Sequence, residues 1–113
     1  MINSSTKIFG LFELDVMGTV MYSRVDSNNS SVNLPPNLVG LNFFDEVAPI
    51  QDSEKLRQRF RYFAKGSDSA EKFTFTSQVD EQPMEVKVLL TQINERDYNG
   101  NEKFIIVDIR RVT

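Results

Sequence analysis

The sequence of 113 residues contains no cysteine and no histidine. Without cysteine the chain forms no disulfide and offers no thiolate as a nucleophile or metal ligand. Without histidine it lacks the commonest proton-transfer group near neutral pH and the usual nitrogen ligand of zinc and haem iron. The five glycines are scattered and form no phosphate-binding loop, and no calcium-loop motif is present. We therefore predict a non-catalytic protein without a metal site.

Charge and hydropathy also exclude several classes of protein. Apolar residues make up 40% and charged residues 26% of the chain, as is ordinary for one soluble domain. No apolar run approaches the roughly 20 residues that a membrane helix needs, and the N-terminus lacks the features of a secretory signal. The net charge of −3 argues against nucleic acid as the main partner. We expect a cytoplasmic protein that contacts neither membrane nor nucleic acid.

The N-terminal third combines a hairpin with a polar segment. Residues 7–15, "KIFGLFELD", alternate as a strand does, and 19–24, "TVMYSR", supply a partner strand. Residues 25–40 are polar and contain a Pro-Pro pair, so one or two short helical turns are expected there. The stretch "NFFDEV" at 42–47 predicts another single turn, whose rings must be buried because one turn is not stable alone.

A helix and three strands follow. Residues 52–66 predict the helix, with Leu56, Phe60 and Phe63 on one apolar stripe. Strands are predicted at 71–79, 84–93 and 103–112. This order predicts an α+β fold, a five-stranded antiparallel sheet with short helices packed on one face.

The stretches "KIFGLFELDVMGTVMYSRVD", "GLNFFDEVAPIQDS" and "VDIRRV" resemble a PAS domain, close to the photoactive yellow protein family. The resemblance covers roughly residues 8–112, and "NFFDEVAP" is its most specific part. It implies a PAS fold at 8–113, a sensory and interaction module, with an N-terminal cap or tail at 1–7. It also implies a bacterial signalling protein, either one domain of a longer chain or a small separate partner.

One departure from the family is chemically decisive. In that family the residue after "VAP" is a cysteine that holds the chromophore through a thioester, and here it is Ile50. The chain therefore cannot be a p-coumarate photoreceptor. We expect no covalent cofactor, and a noncovalent small organic ligand of unknown identity as the possible occupant of the cleft.

The resemblance also assigns a candidate ligand pocket. Tyr22 and Asp26 align with the polar pair that contacts the ligand, and Ser30 aligns approximately with a supporting threonine. The full predicted set is Tyr22, Asp26, Ser30, Phe43, Val47, Ile50, Phe75 and Ser77. A hydroxyl beside a carboxyl suits a phenol, carboxylate or carbonyl ligand. The alternatives are a retained internal hydrogen bond or a surface pair, with Ile50 filling the cavity.

A second candidate site is the outer face of the sheet. Strand alternation places five apolar residues there, Phe9, Leu11, Leu89, Phe104 and Ile106. Apolar surface of a few hundred Å² usually marks an interface, so we expect a homodimer or a contact with a flanking signalling domain. The alternative is that the N-terminal "MINSST" covers part of this face.

Two functions from different classes follow. The chain is a sensory domain that binds a small ligand and changes its sheet or dimer geometry, or it is a ligand-free dimerisation module with a filled core. The basic residues of the predicted helix are more simply explained as a solvated face than as a phosphate-binding site. The scattered carboxylates are more simply explained as surface charge than as a catalytic pair.

The missing cysteine generates a first prediction. The purified protein should be colourless above the ultraviolet band of protein, because it has no thiol to hold a pigment. An absorption spectrum checks this, and stoichiometric visible absorbance would contradict it.

Overall fold

The computed structural model describes residues 9–26, 37–47, 53–79, 82–97 and 100–112. We call the π-helical turn Phe43–Val47 the aromatic turn. The elements are β1 Gly10–Asp15, β2 Val20–Val25, the aromatic turn, α1 Ser53–Lys65, β3 Ala70–Val79, β4 Gln82–Asp97 and β5 Gly100–Arg111. The helical turns predicted within 25–40 and the N-terminal cap at 1–7 fall largely or wholly outside the described residues.

The strands form one antiparallel sheet of five strands in the order β2-β1-β5-β4-β3. The first and last strands of the chain are thus neighbours at the centre, and β2 and β3 are the edges. This confirms the predicted α+β fold with a five-stranded antiparallel sheet.

The last two strands are longer than predicted. β4 and β5 stay paired from Val86 and Arg111 out to Asp97 and Gly100. The apolar alternation ends near Ile93, and the polar residues beyond it carry no burial signal. Backbone pairing with a neighbouring strand nevertheless extends both strands through this polar segment.

One face of the sheet, the core face, carries the hydrophobic core. The three central strands each contribute two fully buried residues to this face: Phe12 and Leu14 of β1, Val88 and Leu90 of β4, and Ile105 and Val107 of β5. Leu56, Phe60 and Phe63 of α1 pack against the same cluster, which confirms the predicted helix stripe.

The C-terminal end of α1 is attached to the sheet by two long side chains. Lys103 Nζ donates to the carbonyls of Ala64 and Gly66 at 2.8 and 3.2 Å. Gln92 Nε2 donates to those of Phe63 and Gly66 at 3.1 and 2.9 Å. Carbonyls at a helix end have no partner within the helix, so β4 and β5 supply it here.

Phe9 departs from the predicted alternation. It is 3% exposed and belongs to the core cluster, so its predicted place on the outer face is wrong. The cause is Gly10, whose φ of +147° is not that of a regular strand. A Cβ there would also lie 2.3 Å from the Arg24 carbonyl oxygen. The alternation of side chains between the two faces of the sheet therefore does not extend from Leu11 back to Phe9.

The aromatic turn docks on the hairpin between β1 and β2. Phe43 N donates to the carbonyl of Gly18 at 2.8 Å. The ring of Phe44 lies directly over Gly18, so that a Cβ added there would be 3.1 and 3.2 Å from two ring atoms. Asp15 Oδ1 accepts from the N–H groups of Met17 and Thr19 at 2.9 Å and shapes the hairpin. The absent side chain of Gly18 is what lets Phe44 approach.

This contact generates a second prediction, with a matched control. Gly18 and Gly40 have nearly equal positive φ, +92° and +93°, but Gly40 has no heavy atom within 4 Å of a built Cβ. Both alanine variants should therefore incur a backbone cost of about 1–2 kcal/mol. Gly18→Ala should lose about 1–3 kcal/mol more, because it crowds the Phe44 ring. Urea unfolding measures both, and equal losses would show that the ring contact is not tight.

Candidate functional site

Asn42 determines how the aromatic turn begins. Its Oδ1 accepts from the backbone N–H groups of Phe44 and Asp45, both at 3.0 Å. The carboxylate of Glu46 accepts a hydrogen bond from the backbone N–H of Asn42 at 2.7 Å. The two residues therefore cap the turn reciprocally. Asn42 Nδ2 also donates to the carbonyl of Met17 at 3.3 Å. One side chain thus starts the turn and joins it to the β1–β2 hairpin.

The rings of the turn continue a row of aromatic contacts into the core. Phe12 and Phe43 have centroids 4.8 Å apart, Phe43 and Phe44 are edge to face at 5.2 Å, and Phe44 and Phe60 lie 5.1 Å apart. The edge-to-face pair has a preferred aromatic geometry, and the other two pairs are tilted. Arg57 lies over Phe44 at 5.7 Å and pairs with Asp45 at 3.0 Å. The row joins β1, the aromatic turn and α1.

Six of the eight predicted pocket residues belong to the aromatic turn, to β3 or to segments outside the described residues. Phe43 and Val47 are buried in the core cluster, and Phe75 is half-buried on the core face of β3. Ser77 lies opposite Met84 in the β3–β4 ladder. Ser30 and Ile50 lie outside the described residues, so the predicted place of Ile50 in the pocket stays a prediction.

Tyr22 does not lie in a pocket between the sheet and the helices, and that predicted placement is wrong. The β1–β2 pairing shifts between Glu13 and Leu14, where Leu14 pairs with Val20 but Glu13 pairs with Tyr22. The extra residue, Met21, forms a bulge, and a bulge changes which face the next residue occupies. Tyr22 therefore lies on the outer face opposite Glu13 and is 51% exposed.

The same bulge brings a residue to the core face that the sequence comparison overlooked. Ser23 pairs with Phe12 and is half-buried beside it. Asp26 follows β2, is half-buried, and donates its backbone N–H to the Phe9 carbonyl at 2.8 Å. Regular alternation from Val20 would place Ser23 on the outer face, so only knowledge of the bulge would have predicted its position.

Four of the five residues predicted for the outer face do alternate with core residues. We call them the outer stripe, defined as Leu11, Leu89, Phe104 and Ile106. They come from the three central strands, β1, β4 and β5. Phe104 is 8% exposed and is not part of the core cluster, and the other three are half-buried. Tyr22 adds an exposed ring at the β2 side of this face.

One charged pair interrupts the outer stripe. Asp108 is paired across the sheet with both Leu11 and Leu89. It accepts two hydrogen bonds from Arg110, at 3.1 Å each, and its side chain is 16% exposed. This side-chain hydrogen bond raises the pKa of Arg110 above its ordinary value. The carboxylate on the apolar face is thus neutralised within its own strand.

The described residues contain no group of three or more acidic, histidine or cysteine side chains placed to hold a metal ion. Nor does any helix in the described ranges have the length and hydropathy to cross a membrane.

This sheet order, with α1 against the core face, defines a PAS-like α+β fold. The chain is homologous to photoactive yellow protein. It is 29% identical to that of Rhodothalassium salexigens over 99 residues, which are 88% of this chain and 76% of the relative. It is also 29% identical to that of Halochromatium salexigens over 80 residues, 71% of this chain and 64% of the relative. No protein-family model matches the chain.

Proposed function

We propose that this chain is a non-catalytic sensory or regulatory domain of the PAS type, and that it acts through a protein contact made by the outer stripe. The homology to photoactive yellow protein supports the sensory class. The absence of cysteine means that any signal reaches this domain without a thioester-bound pigment. The partner is a second copy of the chain or a flanking segment of a signalling protein.

The observation that supports this proposal most is the position of the outer stripe. Its four apolar side chains lie on the face opposite the core and span three adjacent strands. Exposed apolar patches usually mark an interface, and Leu11, Leu89 and Ile106 are half-buried, so each presents part of its side chain to solvent. The Asp108–Arg110 pair within it needs no charged partner, so a mostly apolar surface can cover it.

The tether of α1 offers a route between the two faces of the sheet. Lys103 holds the end of α1 and directly precedes Phe104 of the outer stripe. Gln92, the second tether, pairs with Ile105 across the β4–β5 ladder. A displacement of α1 would therefore move the strands that carry the outer stripe. This supplies a mechanism for passing a change on the core face to a partner.

Binding of a noncovalent small organic ligand is the second candidate. Phe73, Phe75 and Met84 pack against the core cluster without being fully buried. A small apolar molecule at this margin of the core would complete their burial. Such a molecule would be held by packing and hydrogen bonds alone, because Ile50 offers no nucleophile.

A third prediction tests the proposal. Ile106→Glu places a charge in the outer stripe and should weaken self-association at least about tenfold, or about 1.4 kcal/mol. Val39→Glu is the matched control, because Val39 is an apolar residue 52% exposed in a turn away from this face. Native mass spectrometry reports the dimer fraction and any copurified small molecule together.

The outcomes separate the two candidates. A wild-type protein that stays monomeric at high micromolar concentration and binds no flanking segment would overturn the contact. A stoichiometric small molecule that survives gentle desolvation would establish the ligand function. Equal effects of both glutamate variants would show that charge alone, not the outer stripe, controls association.

A further inference from the structure

We propose that the open edge of β3, together with the facing side of α1, is a binding groove for an extended acidic peptide segment of a partner protein. The peptide would add to the sheet as a sixth strand. This surface is separate from the outer stripe, and the inference does not depend on the proposed function.

The first observation is the geometry of the edge. β3 is the last strand of the sheet, and no strand among the described residues pairs with its other side. The Ser69 carbonyl accepts from Gln92 N at 3.0 Å, which makes this a hydrogen-bonded pair. By the antiparallel alternation Glu71, Phe73 and Phe75 bond β4 in the same way. The N–H and C=O groups of the residues between them therefore point away from the sheet.

The second observation is that β3 lacks two of the features that protect an edge strand, a bulge and a proline. It runs for ten residues, Ala70–Val79, with an unbroken register and no proline. The opposite edge differs, since β2 has six residues and its pairing with β1 is bulged. Val20 also exchanges backbone hydrogen bonds with Gly40 and Leu41, which cover part of that edge. A long and regular open edge is a ready template for another strand.

The third observation is the groove beside this edge. It has a volume of ≈ 640 Å³ between α1 and β3, and it is lined by Lys55, Gln58, Arg59 and Tyr62 on one side and by Phe73 and Phe75 on the other. The Phe73 and Phe75 rings are half-buried and 6.5 Å apart. Tyr62 is 81% exposed on the rim. An open trough along a strand suits an extended chain, and exposed tyrosines are typical of interfaces.

Charge identifies the occupant. The residues lining this groove include two cations, Lys55 and Arg59, and no anion, whereas the chain as a whole has a net charge of −3. Arg59 lies over Phe73 at 4.9 Å and contacts Glu71 at 3.3 Å, so its position is already fixed. Acidic side chains of a bound strand would meet these cations.

The charge is uneven along the trough. Past Tyr62 the groove continues into a smaller recess of ≈ 320 Å³ that is lined in part by Asp68 and Glu71. Acidic residues of the peptide therefore belong at the Lys55 end, beside Thr74 and Thr76. This favours a defined direction of binding over a uniformly charged contact.

A fourth prediction tests this groove with a defined probe. The probe is a fluorescent eight-residue peptide of valine and tyrosine that carries glutamate at two alternate positions in one half, and its control has lysine for glutamate. The glutamate peptide should bind saturably and at least about tenfold more tightly, at about 50 mM salt where surface charges act strongly. Amide chemical shifts should change at Lys72, Thr74 and Thr76, not at Leu11 or Ile106.

The key variant is Thr74→Pro. It removes an N–H that points away from β4, so the ladder within the protein stays intact while the added strand loses a donor. The peptide affinity should fall at least about tenfold, since the proline ring also obstructs close pairing. Thr74→Val keeps the N–H and should lower the affinity much less than Thr74→Pro does. If circular dichroism shows that Thr74→Pro is unfolded, Lys55→Glu on the exposed helix surface replaces it and should weaken binding about threefold or more.

Several results would overturn the inference. These are no acid-selective binding up to about 1 mM peptide, equal affinity in folded Thr74→Pro, or shifts confined to the outer stripe. A Thr74→Pro variant that dissociates a dimer, with no peptide binding, would assign this edge to a second copy instead. Ile106→Glu should leave peptide affinity unchanged, so a failure of the outer-stripe proposal remains distinguishable.

Discussion

The fold depends on the docking of the aromatic turn against a glycine. Phe43 and Phe44 belong to a turn of five residues that is not stable alone. Gly18 is the point where this turn meets the β1–β2 hairpin. Asn42 fixes the start of the turn and joins it to the same hairpin. The aromatic row then extends through Phe60 to α1. The aromatic turn and α1 are thus joined to the hairpin by a row of rings that begins where Gly18 lacks a Cβ.

This arrangement leaves the two surfaces that we propose as partner contacts. The outer stripe lies behind the core, and the open edge of β3 lies beside α1. Both are linked to α1, through Lys103 and Gln92 at its C-terminal end and through Arg59 and Phe73 along its side. In the proposed sensory role these links would pass the input on as a movement of packed elements.

Periodicity in the sequence was sufficient for the main architecture. The apolar stripe of Leu56, Phe60 and Phe63 predicted α1, and the strand order predicted the α+β class. The errors arose where the backbone departs from regular alternation. A bulge at Met21 moved Tyr22 to the outer face and Ser23 to the core face. The conformation of Gly10 returned Phe9 to the core. Neither departure can be read from the order of apolar and polar residues. The ligand function of the predicted pocket residues stays a prediction.

A double-mutant cycle between Gly18→Ala and Phe44→Leu tests the central contact most directly. If the ring rests on Gly18, the smaller leucine should relieve part of the strain, and the two changes should couple by about 1–2 kcal/mol in the free energy of unfolding. Coupling near zero would mean that the added methyl group never meets the ring, and that the aromatic turn is held to the sheet by something other than this contact.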